Sequence, residues 1–413
     1  MTRTNSGHAL LSGGASTRTP ELDILRGIAV ILVLFRHPVL PPEQSGALAP
    51  LLIPFHHFSG AGVDLFFVLS GFLIGGLLFN EFRRFQSVDI KRFLLRRGFK
   101  IYPAYVVFIL YAIVFRIRHE HCSIRRGLID FWPNYIHIQN YYNSPQGHTW
   151  TLALEEHFYL GFALLVGWLV SRRRIHWIPL IALTSMVVCT ALRFANLSRP
   201  FEPITHFSPT HLRADSLFTG VVLSYFYHLQ PHVLAPLFRR RLVVAVVGLA
   251  ILAPMCLYPS AHPFVWTIGF SLLYVGFACL LLAFVPSPQG ERGSRRLASH
   301  PVARGLAFVG FYSYSIYLWH TTLALAPVEF RLRGALTTLR PETHWIVEMS
   351  LYIAVAIGAG VVMALIVERP FLALRDRLIG RRSEAVEAIG MLPAASGEGR
   401  SGVFLPSTAD PAA

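Results

Sequence analysis

Apolar stretches of about twenty residues recur from end to end of this chain, separated by short polar segments rich in arginine. A helix rises 1.5 Å per residue, so a run of that length covers the roughly 30 Å of hydrocarbon in a bilayer. The pattern predicts about ten transmembrane helices, at 22–38, 61–80, 101–117, 152–170, 176–195, 214–229, 240–257, 264–285, 305–327 and 347–370. The expected fold is an all-α, polytopic membrane bundle, with residues 21–375 as one membrane domain and no soluble appendage. Residues 1–20 are polar and read as a short cytoplasmic tail, since no apolar core or cleavage site precedes Leu22. Residues 376–413 read as a cytoplasmic tail, largely disordered, because an Ala/Gly/Ser/Pro-rich stretch cannot bury a core. Residues 286–304 read as a cytoplasmic linker, and 118–149 is the longest external connection.

Composition agrees. Hydrophobic residues make up 54% of the chain and charged residues 14%, and the mean hydropathy is +0.50. The formal charge of +15 would suggest nucleic acid in a soluble protein. Here the basic residues follow topology, and no nucleic-acid partner is expected. If the N-terminus is cytoplasmic, the cytoplasmic segments hold more than twice as many Lys and Arg as the external ones, which predicts an N-in, C-in protein of the cell (inner) membrane. Cys122 and Cys256 both fall on external segments, so a disulfide between them is allowed, while Cys189 and Cys279 read as small apolar residues. His56-His57 and His119-x-His121 lack a set of partners suited to zinc, so no metal site is expected.

Within this apolar background the costly residues are informative. Arg26 and His37 share the first predicted helix, about 16 Å apart along its axis. An arginine at mid-bilayer costs roughly 2.5–3.5 kcal/mol on insertion scales, so such residues mark function unless they snorkel to the interface. Polar residues then separate by depth. Towards the cytoplasmic face lie Arg26, the run Arg92–Lys100 and Val367-Glu368-Arg369-Pro370, a setting for phosphorylated ligands or anionic lipid. Pro103 reads as the opening of the third span, with Arg96 and Arg97 entering it on a shaped turn. Towards the external face lie His37, Asp64, the run His148–Tyr159 and Arg213-Ala-Asp215-Ser216. An imidazole near a carboxylate is an acid–base pair able to take a proton from a hydroxyl.

Taken together, these segments resemble the membrane-bound acyltransferase family 3. Arg26…His37 matches the family's basic-x10-His pattern, and Asp64–Leu73 matches its Asp-Leu-Phe-Phe-Val-Leu-Ser-Gly-Phe-Leu stretch. Arg96, Arg97 and Lys100 match Arg-Arg-x-x-Arg, and Thr151–Tyr159 matches Ser-Leu-x-x-Glu-x-x-Phe-Tyr. Tyr312–His320 and Val367–Phe371 resemble its closing segments. Lys100 keeps the charge of the family's third basic position without the planar fork, and Thr151 keeps the hydroxyl of its serine. The resemblance implies O-acylation of a polysaccharide, lipopolysaccharide, peptidoglycan or secondary metabolite. The resemblance also implies acyl-CoA, acetyl-CoA in particular, as the donor substrate on the cytoplasmic side, with no tightly bound cofactor. A carbohydrate or glycolipid acceptor is implied on the outer side.

Arg26, Arg96, Arg97 and Lys100 are then expected to hold the CoA phosphates. His37 is expected to act as base or transient acyl carrier, oriented by Glu155 or, less directly, by Asp64. A multi-pass secondary transporter with these charges as substrate sites is the alternative, and the absence of visible internal repeats speaks against it.

Overall fold

The computed structural model describes residues 19–38, 41–288, 300–332 and 338–379. The tail up to residue 18, the centre of the 286–304 linker and the tail from residue 380 lie outside the described residues, as do the expectations that fall on them. Among the described residues every regular element is helical. The principal helices are α1 (Pro20–Arg36), α2 (Ala49–Ser59), α3 (Gly62–Phe85), α4 (Ile90–His119), α5 (Trp150–Ser171), α6 (Ile178–Ala195) and α7 (Thr210–Leu229). They continue as α8 (Arg241–Leu252), α9 (Phe270–Phe284), α10 (Pro301–Phe311), α11 (Ser313–Trp319), α12 (Pro341–Met363) and α13 (Arg369–Leu378).

Among the described residues, six helical segments are long and apolar enough to cross a membrane: Gly46–Phe85, Ile90–His119, Gly147–Ser171, Ile175–Ser198, Val265–Phe284 and Pro341–Leu378. The protein is a multi-pass membrane protein. The other expected spans also fall on helices, but α1 has 17 residues, α8 has 12, and the 305–327 stretch is broken into α10, α11 and a π-helical turn at His320–Leu325. One expectation is corrected. Pro103 does not open a helix, because α4 runs unbroken through it for 30 residues from the Asp89 cap, whose side chain accepts from the Arg92 amide at 3.0 Å. A proline removes one backbone hydrogen bond, and a helix packed among others tolerates that loss. Arg96 and Arg97 therefore lie on the opening turns of the helix itself.

The bundle is drawn together by close backbone approach. At Gly71 of α3 an added Cβ would sit 1.9 Å from the Leu217 carbonyl oxygen of α7, and at Gly220 of α7 it would sit 2.1 Å from that of Val68. Only glycine permits this contact, the small-residue packing by which helices associate where no hydrophobic drive exists. The helix α1 meets α10 in the same way.

Two buried ion pairs lock the same region. Arg193 of α6 is fully buried and donates to Asp215 of α7 at 2.9 Å, to the carbonyls of Leu212 and Thr267, and to the hydroxyls of Thr190, Ser271 and Tyr274. Arg213 pairs with Asp64 of α3, and its guanidinium lies 3.7 Å from the centre of the Phe270 ring. The connection from 120 to 149 is also folded. Asn134 and Gln139 are buried and both donate to the Tyr105 hydroxyl at 3.1 Å. His137 stacks on the Tyr105 ring, and burial pushes its pKa down to about 4, so it is neutral at ordinary pH. All four cysteines are free thiols, so the disulfide allowed between Cys122 and Cys256 is not formed.

Arg193→Met leaves the Asp215 carboxylate unpaired in a dry interior and should cost about 3–5 kcal/mol. The double variant Arg193→Met with Asp215→Leu should recover most of that loss. Thermal unfolding in detergent measures both; a double variant no more stable than the single one would show that charge pairing is not what holds α6 to α7.

Candidate functional site

Among the described residues, two neighbouring cavities between the helices differ in chemistry. The first, about 80 Å³, is lined by one face of α3 (Val63, Phe66, Phe67, Ser70, Leu73), by Arg97, Lys100 and Ile101 of α4, by Thr151, Glu155 and Tyr159 of α5, and by Arg26 of α1. The spacing explains the selection. Positions three, four and seven apart share a helical face, which brings Val63, Phe66, Phe67 and Ser70 together and sets Lys100 beside Arg97. Arg96 is rotated by about 100° from Arg97 and leaves that face. It donates instead to the Ile379 carbonyl at 2.6 Å and lies 3.4 Å from Asp376, outside the chamber that Arg97 and Lys100 line.

This first cavity is a basic chamber. Arg26, Arg97 and Lys100 outnumber the Glu155 carboxylate on its walls. Glu155 is itself fully engaged: Ser70 Oγ donates to one oxygen at 2.8 Å and Tyr159 Oη to the other at 2.6 Å. The Arg97 guanidinium lies 5.1 Å from the centre of the Tyr159 ring. Glu368, from the segment joining α12 to α13, accepts from Ser315. An excess of fixed positive charge beside aromatic and apolar walls suits an anionic group attached to a less polar body.

The second cavity, about 170 Å³, is lined by His37, Arg36, His57, Asp64, His148, Trp150, Phe207, Arg213, Ser260 and Phe270 among others. His37 caps α1, where the last carbonyls have no partner within the helix. Its Nδ1 lies 3.1 Å from the Val33 carbonyl. A carbonyl only accepts, so in the neutral ring Nδ1 carries the proton and Nε2 keeps its lone pair. The Val33 carbonyl thus performs the orienting role expected of Glu155, which the structure places in the basic chamber. Asp64 does line the second chamber with His37, but its carboxylate is held by Arg213. Arg36 donates to His56 at 2.9 Å and to Ser260 at 3.0 Å.

Two further imidazoles stand beside His37. The His320 ring centre is 5.1 Å from that of His37 and 5.1 Å from that of His148. His320 is fully buried, and its Nδ1 donates to the Tyr317 carbonyl at 2.6 Å. His148 heads the run His148–Tyr159 that the sequence places towards the external face, whereas His320 is not among the expected site residues. The available signal was the density of hydroxyls and rings from Tyr312 to His320 inside an otherwise apolar stretch. The chambers meet at a common wall, since Val63 and Tyr317 belong to both linings. The Tyr317 hydroxyl donates to the His148 carbonyl at 2.6 Å and accepts from Thr151 Oγ1 at 2.7 Å, which gives a structural role to the hydroxyl that Thr151 retains.

Curated relatives resemble this chain over most of its length. The O-acetyltransferase OatA of Staphylococcus aureus (strain NCTC 8325) is 26% identical over 358 residues, covering 80% of this chain and 54% of the relative. The peptidoglycan O-acetyltransferase OatA of Listeria monocytogenes is 27% identical over 327 residues, covering 73% of this chain and 48% of the relative. The chain therefore spans about half the length of the curated relatives it matches. No solved structure matches it significantly. The model of the acyltransferase domain family, family 3, matches residues 19–366, and the chain belongs to that family.

Proposed function

We propose that this protein is an integral-membrane O-acyltransferase that moves an acyl group, acetyl in the simplest case, from acyl-CoA to a hydroxyl of a cell-envelope carbohydrate. The observation that carries the reading is the pair of chambers, one basic and one built around an oriented imidazole, on either side of a shared wall. Family membership supports acyl transfer over solute transport, and the relatives named as O-acetyltransferases support acetyl as the group. About ten spans, with both termini cytoplasmic in the inner membrane, would put the basic chamber towards the cytoplasm and the His37 chamber towards the outside.

Arg26, Arg97 and Lys100 would then hold the CoA phosphates by charge-assisted hydrogen bonds, with Arg97 offering a planar fork and Lys100 a point charge. The thioester reaches towards His37, and the acceptor enters the second chamber, whose Trp150, Phe207 and Phe270 offer flat apolar faces beside polar groups. His37 Nε2 takes the proton of the acceptor hydroxyl. The oxygen bonds to the thioester carbon, the carbon–sulfur bond breaks, and the departing thiolate recovers the proton from the imidazolium. In the two-step variant His37 Nε2 attacks the thioester carbon and the CoA thiolate leaves; the acceptor oxygen then displaces the imidazole, and the hydroxyl proton passes to the thiolate. Glu155 acts by holding Tyr159 and Ser70 against the basic cluster.

His37→Ala should lower acyl transfer by roughly 10²–10⁴-fold, the usual weight of a general base, while the protein still accumulates in the membrane. Lys100→Ala should instead raise the KM for acyl-CoA about tenfold or more, since a hydrogen bond to a charged group contributes about 1.5–3 kcal/mol. Radiolabelled acyl transfer to envelope glycans by purified, reconstituted protein measures both, and full activity of His37→Ala would rule out this mechanism.

The orientation has its own test. In intact cells a membrane-impermeant maleimide should label native Cys122, whereas Cys introduced by Arg173→Cys should react only after permeabilisation. The reverse pattern would invert the topology.

A further inference from the structure

The charges that line the second chamber do not balance. Asp64 is the sole carboxylate among its described lining residues, and Arg213 already holds it. Arg36 is the second guanidinium of that lining. Its hydrogen bonds run to neutral groups, from Nη1 to His56 Nε2 at 2.9 Å and from Nη2 to Ser260 Oγ at 3.0 Å. His56 Nδ1 lies 3.3 Å from the Phe35 carbonyl, which only accepts, so Nδ1 carries the ring's proton and Nε2 offers Arg36 a lone pair. Among the described residues Arg36 has no carboxylate partner, and one positive charge is left over beside His37.

Arg36 belongs to the last turn of α1, where the helix dipole favours a cation, but that end of a helix carries only about half an elementary charge. Snorkelling to the membrane surface would relieve the rest. Instead His56 of α2 and Ser260, from the segment joining α8 to α9, hold Arg36 at the chamber wall, partly buried. A guanidinium has five N–H groups, and these two bonds leave the others for a ligand. Its planar fork is the side chain best matched to a carboxylate or phosphate.

Resting on the acyltransferase reading above, we propose that Arg36 is an anion subsite of the acceptor chamber and that the acceptor is an acidic carbohydrate, with a carboxylate near the hydroxyl that is acylated. An anion held by Arg36 anchors the sugar in the chamber that His37 lines, and Trp150, Phe207 and Phe270 give the ring flat faces to lie on. The ligand's charge completes the balance that the lining residues leave open, which a neutral sugar does not.

A tetrasaccharide of glucuronic acid and its amide, in which each carboxylate becomes a neutral carboxamide, test this, because the two probes share rings and hydroxyls. Binding is measured without acyl donor, on the full chain reconstituted in phosphatidylcholine vesicles. The acid should bind about tenfold or more tightly than the amide, the weight of a hydrogen bond to a charged group. Arg36→Gln should bring that ratio close to one, and Arg36→Lys should keep part of it. Arg97→Gln, a change in the basic chamber, should leave the preference in place. Equal binding of the two probes by the unaltered protein, binding of neither, or a preference that survives Arg36→Gln or vanishes in Arg97→Gln would overturn the subsite. Acyl transfer is read separately. A protein that shows the Arg36-dependent preference yet moves no acyl group from acyl-CoA to any glycan would keep the anion subsite and lose the acyltransferase reading.

Discussion

A polar group left without a partner in hydrocarbon costs several kcal/mol, and water is not there to help. The architecture follows from meeting that requirement. Arg193 is enclosed completely, yet three helices supply it with a carboxylate, two carbonyls and three hydroxyls. Arg213 finds Asp64 and the face of Phe270. Each satisfied charge is also a strut, because its partners belong to different helices. The polar network thereby fixes how α3, α6, α7 and α9 sit around the chambers, while the glycine contacts fix how closely they approach.

The same requirement prepares the chemistry. His37 stands where α1 runs out of internal hydrogen bonds, and by donating to the Val33 carbonyl it both closes the helix and chooses its own tautomer. Glu155 gathers two hydroxyls in the basic chamber and so stands as an anion among cations. Neither arrangement needs a mobile loop. Both are set by helices whose positions are determined elsewhere in the bundle, which is how a site gains precise placement.

The helices were legible because hydrocarbon imposes a length and a composition on whatever crosses it. The basic cluster was legible in part: Arg26, Arg97, Lys100 and Glu155 share a chamber, but charge alone does not say which side of a helix a residue faces. Arg96 shows the difference, since a step of one residue carried it from the chamber to the last helix. Glu155 was expected beside His37 because an imidazole suggests a carboxylate. The actual partner is a main-chain carbonyl, and main-chain atoms are the same in every sequence. His320 and Tyr317 come close to His37 only through the folding of a distant segment, so no spacing in the chain announces them.

The wall between the chambers also bears on the electrical integrity of the membrane. In the arrangement proposed above, donor and acceptor enter from opposite faces, and an open path between them would be a leak for protons. Moving one elementary charge across 100 mV releases about 2.3 kcal/mol, so such a leak would drain the potential continuously. Val63 offers no hydrogen bond to a passing proton, and the Tyr317 hydroxyl is already committed on both sides. In that arrangement an uncharged acyl group meets no charge-desolvation cost at this wall, whereas an ion does. The bundle can therefore work as an insulated feedthrough, carrying a chemical group across while holding back current.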